Sequence, residues 1–180
     1  MELLDAFDHL RTVFGDTVEL LIAGNVRNSK DPKNEKANYG RAVVERIERS
    51  AGVRWVGSLA PAEVHDFLCT GDIFVMPSLW HDPFPTVMLE AAAAGLPIVA
   101  ASRGGVTEFL RDTPDFDSTI CPEEPQSLAG AIQRLMENPD ARKSNGEWLR
   151  KKVERHFDWS RVCDDFENLY DSILLSGESV

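Results

Sequence analysis

Two carboxylates, Asp82 and Glu90, lie on either side of the start of a predicted helix. The stretch that holds them, PSLWHDPFPTVMLEA (residues 77–91), connects the end of a strand to that helix through a proline-rich turn. A helix N-terminus attracts anions, because its first N–H groups are unpaired and the macrodipole adds partial positive charge there. Two acids beside such a helix start suit a ligand that carries hydroxyl groups next to a phosphate, as a nucleotide sugar does.

The charge of the chain argues against two classes of partner. Its 180 residues include 19 basic and 30 acidic side chains, which gives a net charge of −11. Binding of nucleic acid depends on neutralising phosphates with Lys and Arg, and binding to anionic lipid depends on polybasic segments. We therefore expect no nucleic-acid partner and no polybasic contact with a membrane.

The cysteines and the N-terminal residues bear on the compartment. Cys69, Cys121 and Cys163 are odd in number, far apart and outside any metal-ligand spacing, which favours reduced thiols in a cytosolic protein. The first residues, MELLDAFDHLRTVF, are acidic and have no basic region of the kind that begins a signal peptide. No apolar run approaches the ~20 residues of a membrane helix. These features predict a soluble, cytoplasmic protein without a transmembrane segment.

Short apolar runs alternate with amphipathic segments along most of the chain. The runs predict strands at 18–24, 53–57, 72–77, 97–102 and 118–121, and a polar loop covers 25–40. Helices are predicted at 2–14, 41–50, 61–69, 86–95, 105–110, 125–137, 139–156 and 159–175. Alternation of this kind predicts a doubly wound α/β fold with a mainly parallel, Rossmann-like sheet.

Turn residues gather after the strands, where such sheets bind their ligands. Gly24, Gly57, the segment 77–85 and the segment 102–105 each follow a predicted strand. Gly24 and Gly57 fit either a tight turn or a close approach of backbone to a base or phosphate. The carboxyl edge of the sheet is therefore the predicted ligand side.

From residue 18 to 175 the chain resembles the C-terminal, donor-binding half of family 4 glycosyltransferases (glycosyl transferases group 1), which have the GT-B fold. The family pattern PSxxEPFGxxxxEAMAxGxPVVAxxxGGxxE is matched by PSLWHDPFPTVMLEAAAAGLPIVAASRGGVTE, residues 77–108. The segments VELLIAG, VRWVGSLAPAEV, DIFVMPS and FDWSRVCDDFENLY match as well. The resemblance implies a nucleotide-sugar-binding domain over 1–157, truncated at its N-terminus, and over 158–180 a C-terminal helix that packs toward an N-terminal domain missing from the chain.

The resemblance also implies roles for individual residues. Glu90 would bind the ribose hydroxyls and Asp82 the hydroxyls of the transferred sugar, and both are candidate catalytic residues. Backbone N–H groups of the loop before the helix would bind the diphosphate, and Glu108 lies just beyond the Gly-Gly pair. The candidate donor-binding residues are Phe84, Pro85, Thr86, Val87, Glu90, Arg103, Gly104, Gly105, Gly24 and Gly57. The implied reaction is a hexosyltransferase-type transfer from a nucleoside-diphosphate sugar to an unknown acceptor, with retention of configuration and without a metal or cofactor.

The chain departs from the family pattern at three places. Asp82 is one methylene shorter than the usual Glu, and Pro85 replaces a Gly and has no N–H for a phosphate. The first strand of the family's domain, which is central in the sheet, and the Arg/Lys loop after it have no counterpart here. We therefore expect the isolated chain to transfer little or no sugar. A non-catalytic nucleotide-sugar-binding module, an inactive fragment and a doubly wound signalling domain without a sugar ligand are the alternatives.

Several residues near the motif have simpler interpretations. The spacing of Asp82 and Glu90 alone also fits a helix-start acid and a solvated surface residue. We expect Trp80 and Phe84 to be packing residues and His81 to lie in an exposed loop. Arg103 fits a phosphate contact or an exposed loop arginine about equally well. Asp115 and Asp117 are predicted to be a turn acid pair and not a metal motif. Packing roles, which in the family are partly against the other domain, are predicted for Trp148, Phe157, Trp159, Phe166 and Tyr170.

Overall fold

A computed structural model describes residues 1–25, 35–121 and 124–177. Most of the predicted loop at 25–40 lies outside these ranges, and the helix predicted at 41–50 begins earlier, at Glu35. The helices are α1 (Glu2–Phe14), α2 (Glu35–Arg49), α3 (Pro61–Leu68), α4 (Thr86–Ala93), α5 (Gly105–Leu110), α6 (Phe116–Thr119), α7 (Pro125–Glu137), α8 (Pro139–His156) and α9 (Trp159–Gly177). The strands are β1 (Leu20–Ala23), β2 (Val53–Gly57), β3 (Phe74–Met76), β4 (Ile98–Ala101) and β5 (Ile120–Cys121).

Strand β4 is the centre of a three-stranded parallel sheet. It pairs with β3 on one side, where Val99 lies opposite Val75, and with β5 on the other, where Ala100 lies opposite Ile120. All four residues of β4 are buried. A strand that is buried on both faces needs a continuous apolar run, and the sequence IVAA supplies one.

The two faces of β4 belong to two hydrophobic clusters. Ile98 and Ala100 pack with residues of α4, α5 and α8, and Val99 packs with residues of α1 and α7. Successive side chains of a strand point to opposite faces of the sheet, so helices cover both sides of β4. The predicted doubly wound α/β fold is confirmed.

Strands β1 and β2 form a separate, two-stranded parallel sheet. Leu20 lies opposite Val53 and Ile22 opposite Trp55, with a bulge before Ala23. Helix α3 connects β2 to β3, and a strand–helix–strand connection of this kind keeps consecutive strands parallel. In the described part of the chain no strand lies between β1 and β3, so the sheet is divided at that place.

Helix α9 presents most of its apolar side chains to solvent. Trp148 and Phe157 pack against the core as predicted, whereas Trp159, Phe166 and Tyr170 are 80%, 54% and 61% exposed. Among the described elements, α9 has its main contact with α8. These three residues are therefore largely uncovered within this chain, and the expectation that the C-terminal helices pack partly against another domain stays a prediction. An apolar stripe at helical spacing does not by itself show that a neighbour covers it.

Two observations concern the cysteines and the membrane. Cys69 and Cys163 are free and exposed, and the reduced state expected for a cytosolic protein stays a prediction. The side chain of Cys121 lies outside the described set. Over the ranges that the structure describes, no helix has both the length and the apolar character needed to cross a bilayer.

Two glycines in helices test how closely the elements pack. A Cβ added at Gly146 of α8 would lie 2.0 Å from the carbonyl oxygen of Gly95. One added at Gly130 of α7 would have only a side-chain atom of its own helix nearby, Nη1 of Arg134 at 4.0 Å. We expect Gly146→Ala to lower the free energy of unfolding by about 1–3 kcal/mol, because the backbone of Gly95 must move. Gly130→Ala should raise it by about 0.5–1 kcal/mol through helix propensity.

Urea denaturation of both variants measures this difference. Equal effects of the two substitutions would contradict the close approach of α8 to the end of α4.

Candidate functional site

The start of α4 offers backbone donors at the carboxyl side of β3. Pro85 is buried and precedes the first helical residue, and its carbonyl accepts a hydrogen bond from the N–H of Met88 at 3.1 Å. Pro85 itself has no N–H. The N–H groups of Thr86 and Val87 are therefore the donors of the first turn that point along the helix axis toward the preceding loop.

Glu90 lies on the same face of α4, one turn after these donors. Residues three and four positions apart are neighbours on a helix surface, which places the Glu90 carboxylate beside Thr86 and Val87. Glu90 is exposed, so its carboxylate is available to a ligand in solvent.

A cavity of about 1120 Å³ brings several predicted site residues together. Gly24, Pro77, Val87 and Glu90 line one end of it, where the carboxyl ends of β1 and β3 meet the start of α4. Gly57 is adjacent, because the N–H of Gly24 donates to its carbonyl oxygen at 2.8 Å.

Gly24 and Gly57 have φ angles of 138° and 76°. Both values favour glycine, so tight backbone turns account for these two residues without a ligand. The indole Nε1 of Trp55 donates to the carbonyl oxygen of Gly24 at 2.9 Å and fixes the end of β1 further. Sequence reasoning missed this contribution of Trp55, since the contact joins two strands and has no local signal.

Asp82 shapes the loop before α4. Its Oδ1 accepts a hydrogen bond from the N–H of Phe84 at 3.0 Å, which is the geometry of an Asx turn. The Phe84 N–H is thus engaged within the protein. The loop predicted to bind a diphosphate runs from Phe84 to Val87. Because Pro85 has no N–H, the available donors of this loop are those of Thr86 and Val87.

Gly104 and Gly105 lie directly against this loop. The N–H of Gly105 donates to the carbonyl oxygen of Asp82 at 3.0 Å. A Cβ at Gly104 would lie 2.0 Å from the carbonyl oxygen of Asp82, and one at Gly105 would lie 1.9 Å from that of Pro83. The two glycines therefore join the start of α5 to the loop before α4, and their contact with a donor stays a prediction.

Phe84 fixes the loop before α4 by packing its ring against two other phenylalanines. Its ring stacks on Phe157 with the centroids 5.4 Å apart and contacts the edge of Phe109 at 6.1 Å. The packing role predicted for Phe84 is confirmed, whereas that predicted for Trp80 is wrong, because Trp80 is 76% exposed. The residues between Ser78 and Asp82 form an exposed rim, and His81 is exposed as predicted.

Lys152 supports the same aromatic cluster. Its Nζ donates to the carbonyl oxygen of Phe109 at 2.6 Å and lies 5.3 Å and 4.9 Å from the ring centroids of Phe109 and Trp148. Burial lowers the pKa of Lys152 below its ordinary value, and the nearby charge of Asp112 opposes this shift. Sequence reasoning missed Lys152 too, because its partner is distant in the chain.

The remaining candidates lie around this edge. Arg103 is half-buried after β4, with its backbone N–H bonded to the carbonyl oxygen of Ala101 at 2.8 Å, and Glu108 is exposed on α5. Asp115 has a φ angle of 56° and precedes α6, and Asp117 lies in the first turn of that helix. The described residues contain no group of three or more side chains that could hold a metal ion.

Comparison with known proteins identifies the family. The family model described as "Glycosyl transferases group 1" matches residues 1–138, which include β1 to β5, nearly all of the cavity lining and the whole motif around Asp82 and Glu90. The chain belongs to the group 1 glycosyl transferases.

Relatives in this glycosyltransferase family match between 65% and 99% of this chain but less than half of their own length. The lipopolysaccharide 1,2-N-acetylglucosaminetransferase of Salmonella typhimurium is 29% identical over 166 residues, which cover 92% of this chain and 42% of the relative. The chain thus spans less than half the length of that relative.

Solved structures show the same fold. Sucrose-phosphate synthase from Thermosynechococcus elongatus has a TM-score of 0.76 at 21% identity, with 97% of this chain and 43% of that chain covered. The Anabaena protein HepE, solved in complex with UDP and glucose, has a TM-score of 0.70 at 18% identity, with 93% and 52% covered. These neighbours are GT-B glycosyltransferases, so the chain corresponds to roughly half of a GT-B fold.

The Asx turn of this group 1 glycosyltransferase chain is open to a direct test. We expect Asp82→Ala to lower the free energy of unfolding by about 1 kcal/mol, because the half-buried N–H of Phe84 loses its acceptor. Asp82→Asn keeps an oxygen at the same place and should cost less than half as much. Urea denaturation compares the two variants with the unchanged protein. Equal losses for Asn and Ala would show that the hydrogen bond to Phe84 does not stabilise the loop.

Proposed function

We propose that this chain is the donor-binding half of a retaining glycosyltransferase that uses a nucleoside-diphosphate sugar. The observation that carries the proposal is the meeting of Gly24, Pro77, Val87 and Glu90 at one end of the cavity, beside the start of α4. Backbone donors and an exposed carboxylate there match two of the three chemical parts of a nucleotide, the phosphate and the ribose. The complex of HepE with UDP and glucose supports the same ligand class for a chain of this fold.

The diphosphate has its donors at the first turn of α4. A helix N-terminus adds partial positive charge to its free N–H groups, and those of Thr86 and Val87 point toward the loop. As the sugar leaves the diphosphate, negative charge grows on the phosphate oxygens, and fixed donors stabilise that charge. Arg103 after β4 supplies a cation at the same edge of the sheet.

Glu90 is assigned to the ribose. Its carboxylate accepts hydrogen bonds from two neighbouring hydroxyl groups, and its place one turn after Val87 puts it a short distance beyond the phosphate donors. Hydrogen bonds to a charged group contribute about 1.5–3 kcal/mol each.

Asp82 has two tasks in this proposal. Oδ1 accepts the N–H of Phe84 and thereby shapes the loop. The second carboxylate oxygen, Oδ2, is assigned to a hydroxyl of the transferred sugar. The side chain of Asp82 is shorter than that of the family's glutamate and is held by its bond to the loop. Its contact with the sugar therefore depends more strongly on the position of the loop than the contact of an unbonded glutamate would. Loss of Asp82 therefore affects turnover more than nucleotide affinity.

Nucleotide binding tests the role of Glu90. We expect Glu90→Ala to weaken the binding of UDP at least about tenfold, because the ribose hydroxyls lose a charged acceptor. Asp66→Ala is the matched control, since Asp66 is an exposed acid on α3 outside the cavity lining. Isothermal titration calorimetry with UDP, and with GDP and ADP as comparison ligands, measures the effect. An unchanged nucleotide affinity of Glu90→Ala would refute the assignment.

A further inference from the structure

We propose that Lys152 is a positioning residue for Asp82. It fixes the carboxyl end of α5, and through α5 it sets where the loop before α4 presents the Asp82 carboxylate. Lys152 thereby controls how much more tightly the site binds a nucleotide sugar than the bare nucleotide. This role rests on the proposed function, in which Asp82 accepts a hydroxyl of the transferred sugar.

The carboxyl end of α5 is held by the ammonium group of Lys152. Carbonyl groups in the last turn of a helix have no partner within the helix, and the negative end of the helix dipole favours a cation there. The Nζ of Lys152 meets both needs, since it donates to the carbonyl oxygen of Phe109 at 2.6 Å. Lys152 lies on α8, 43 residues further along the chain, so this bond ties the short helix to a long one.

The surroundings of Lys152 leave its ammonium group little freedom. Nζ lies 5.3 Å from the ring centroid of Phe109 and 4.9 Å from that of Trp148, and aromatic faces attract a cation. Burial lowers the pKa of Lys152, and the carboxylate of Asp112 opposes this effect by favouring the charged form. A half-buried ammonium needs an acceptor, and the Phe109 carbonyl is that acceptor.

Helix α5 contacts the loop before α4 at both of its ends. At its start, the N–H of Gly105 donates to the carbonyl oxygen of Asp82 at 3.0 Å. Near its end, the ring of Phe109 makes an edge contact with the ring of Phe84, with the centroids 6.1 Å apart. The N–H of Phe84 in turn donates to Oδ1 of Asp82 at 3.0 Å. A shift of α5 therefore reaches Asp82 through both its main chain and its carboxylate.

The contact at the start of α5 transmits such a shift directly, because main chain meets main chain. A Cβ at Gly105 would lie 1.9 Å from the carbonyl oxygen of Pro83, so no side chain separates the two segments. Helix α5 has only six residues, and a movement of its last turn also moves its first residue. Lys152 thus acts on Asp82 from the opposite end of α5.

Four variants of α8 separate this role from simple stabilisation. Lys152→Met keeps the apolar stem and removes the ammonium group, whereas Lys152→Arg keeps a cation that can donate to the Phe109 carbonyl. Lys151→Met is the matched control, because Lys151 is the exposed neighbour on the same helix. Gly146→Ala controls for lost stability, since it disturbs α8 where that helix meets Gly95 at the end of α4.

Amide hydrogen exchange on the ligand-free protein measures the position of the loop. We expect Lys152→Met to speed exchange at the N–H groups of Phe84 and Gly105 by at least about threefold relative to the N–H of Leu20 in β1. Lys152→Arg should restore the original rates, and Lys151→Met should keep them. Equal acceleration by Gly146→Ala, or none by Lys152→Met, would overturn the positioning role.

Calorimetry with UDP and with UDP-glucose measures the consequence for the ligand. The ratio of the two dissociation constants isolates the contribution of the sugar. We expect Lys152→Met to lower the preference for UDP-glucose at least about threefold and to leave the affinity for UDP within about twofold. In the Asp82→Ala background the same substitution should change the preference by less than about 1.5-fold, because a residue that acts through Asp82 has no effect once Asp82 is lost.

The outcomes distinguish this role from the proposed function. Failure of the unchanged protein to bind UDP, GDP or ADP would refute the proposed function and, with it, the effect on the sugar. Normal UDP binding with the full preference for UDP-glucose in Lys152→Met would overturn the role of Lys152 and leave the donor site standing. A further loss in the Asp82→Ala background would also overturn it. If Lys152→Met does not fold, Lys152→Gln, which is likewise uncharged, takes its place in every measurement.

Discussion

The burial of β4 on both faces is the constraint on which the rest of the structure depends. Its four residues have no exposed side, so two layers of helices must cover them. That requirement fixes α4 and α5 on one face and α1 and α7 on the other. Met88, Ala91 and Ala92 hold α4 in the core. Because the helix is fixed by these residues, its first turn lies beside the carboxyl end of β3. The donors at the start of α4 follow from the packing of its later residues.

A second level of organisation comes from the aromatic cluster beneath the loop. Phe84, Phe109 and Phe157 come from the loop before α4, from α5 and from the end of α8, and all three rings are in mutual contact. Rings in such arrangements stabilise each other beyond the area they bury. Three segments that are distant in the sequence therefore share one anchor. Lys152 adds a donor for the carbonyl of Phe109 and covers the outer side of the cluster.

The periodic parts of the fold were predictable from sequence. The helices at 125–137 and 139–156 have the predicted bounds, because each begins with Pro and carries a regular pattern of core residues. The short final strand was placed less well, since α6 occupies Phe116–Thr119 and leaves only Ile120–Cys121 to β5. A strand of two residues is too short to show a periodic pattern, so its start could not be distinguished from the preceding segment by sequence alone.

The sequence supplied the candidate site residues, whereas the hydrogen bonds among them could not be predicted from it. The motif locates Asp82, Glu90, Gly104 and Gly105, and the strand ends locate Gly24 and Gly57, because parallel strands finish at one edge. The hydrogen bond from Phe84 to Asp82 could not be inferred, since a carboxylate two residues away fits a ligand contact equally well. The alternation of strands and helices alone did not predict the division of the sheet, whereas the family resemblance did, because the family's central first strand has no counterpart in this sequence. Periodicity shows which residues form a strand, and only the fold shows which strands are neighbours.

The close contact of Gly104 and Gly105 with Asp82 and Pro83 has an entropic consequence. The two segments touch through main-chain atoms, which have no rotamers to lose when a ligand arrives. Ordering a mobile side chain at a binding site costs about 0.5–1.5 kcal/mol. At this contact the main chain is already ordered in the folded protein. A ligand that spans both segments therefore meets a pre-organised surface. The affinity of such a ligand then depends mainly on the contacts it makes, because the conformational entropy cost of ordering these two segments is small.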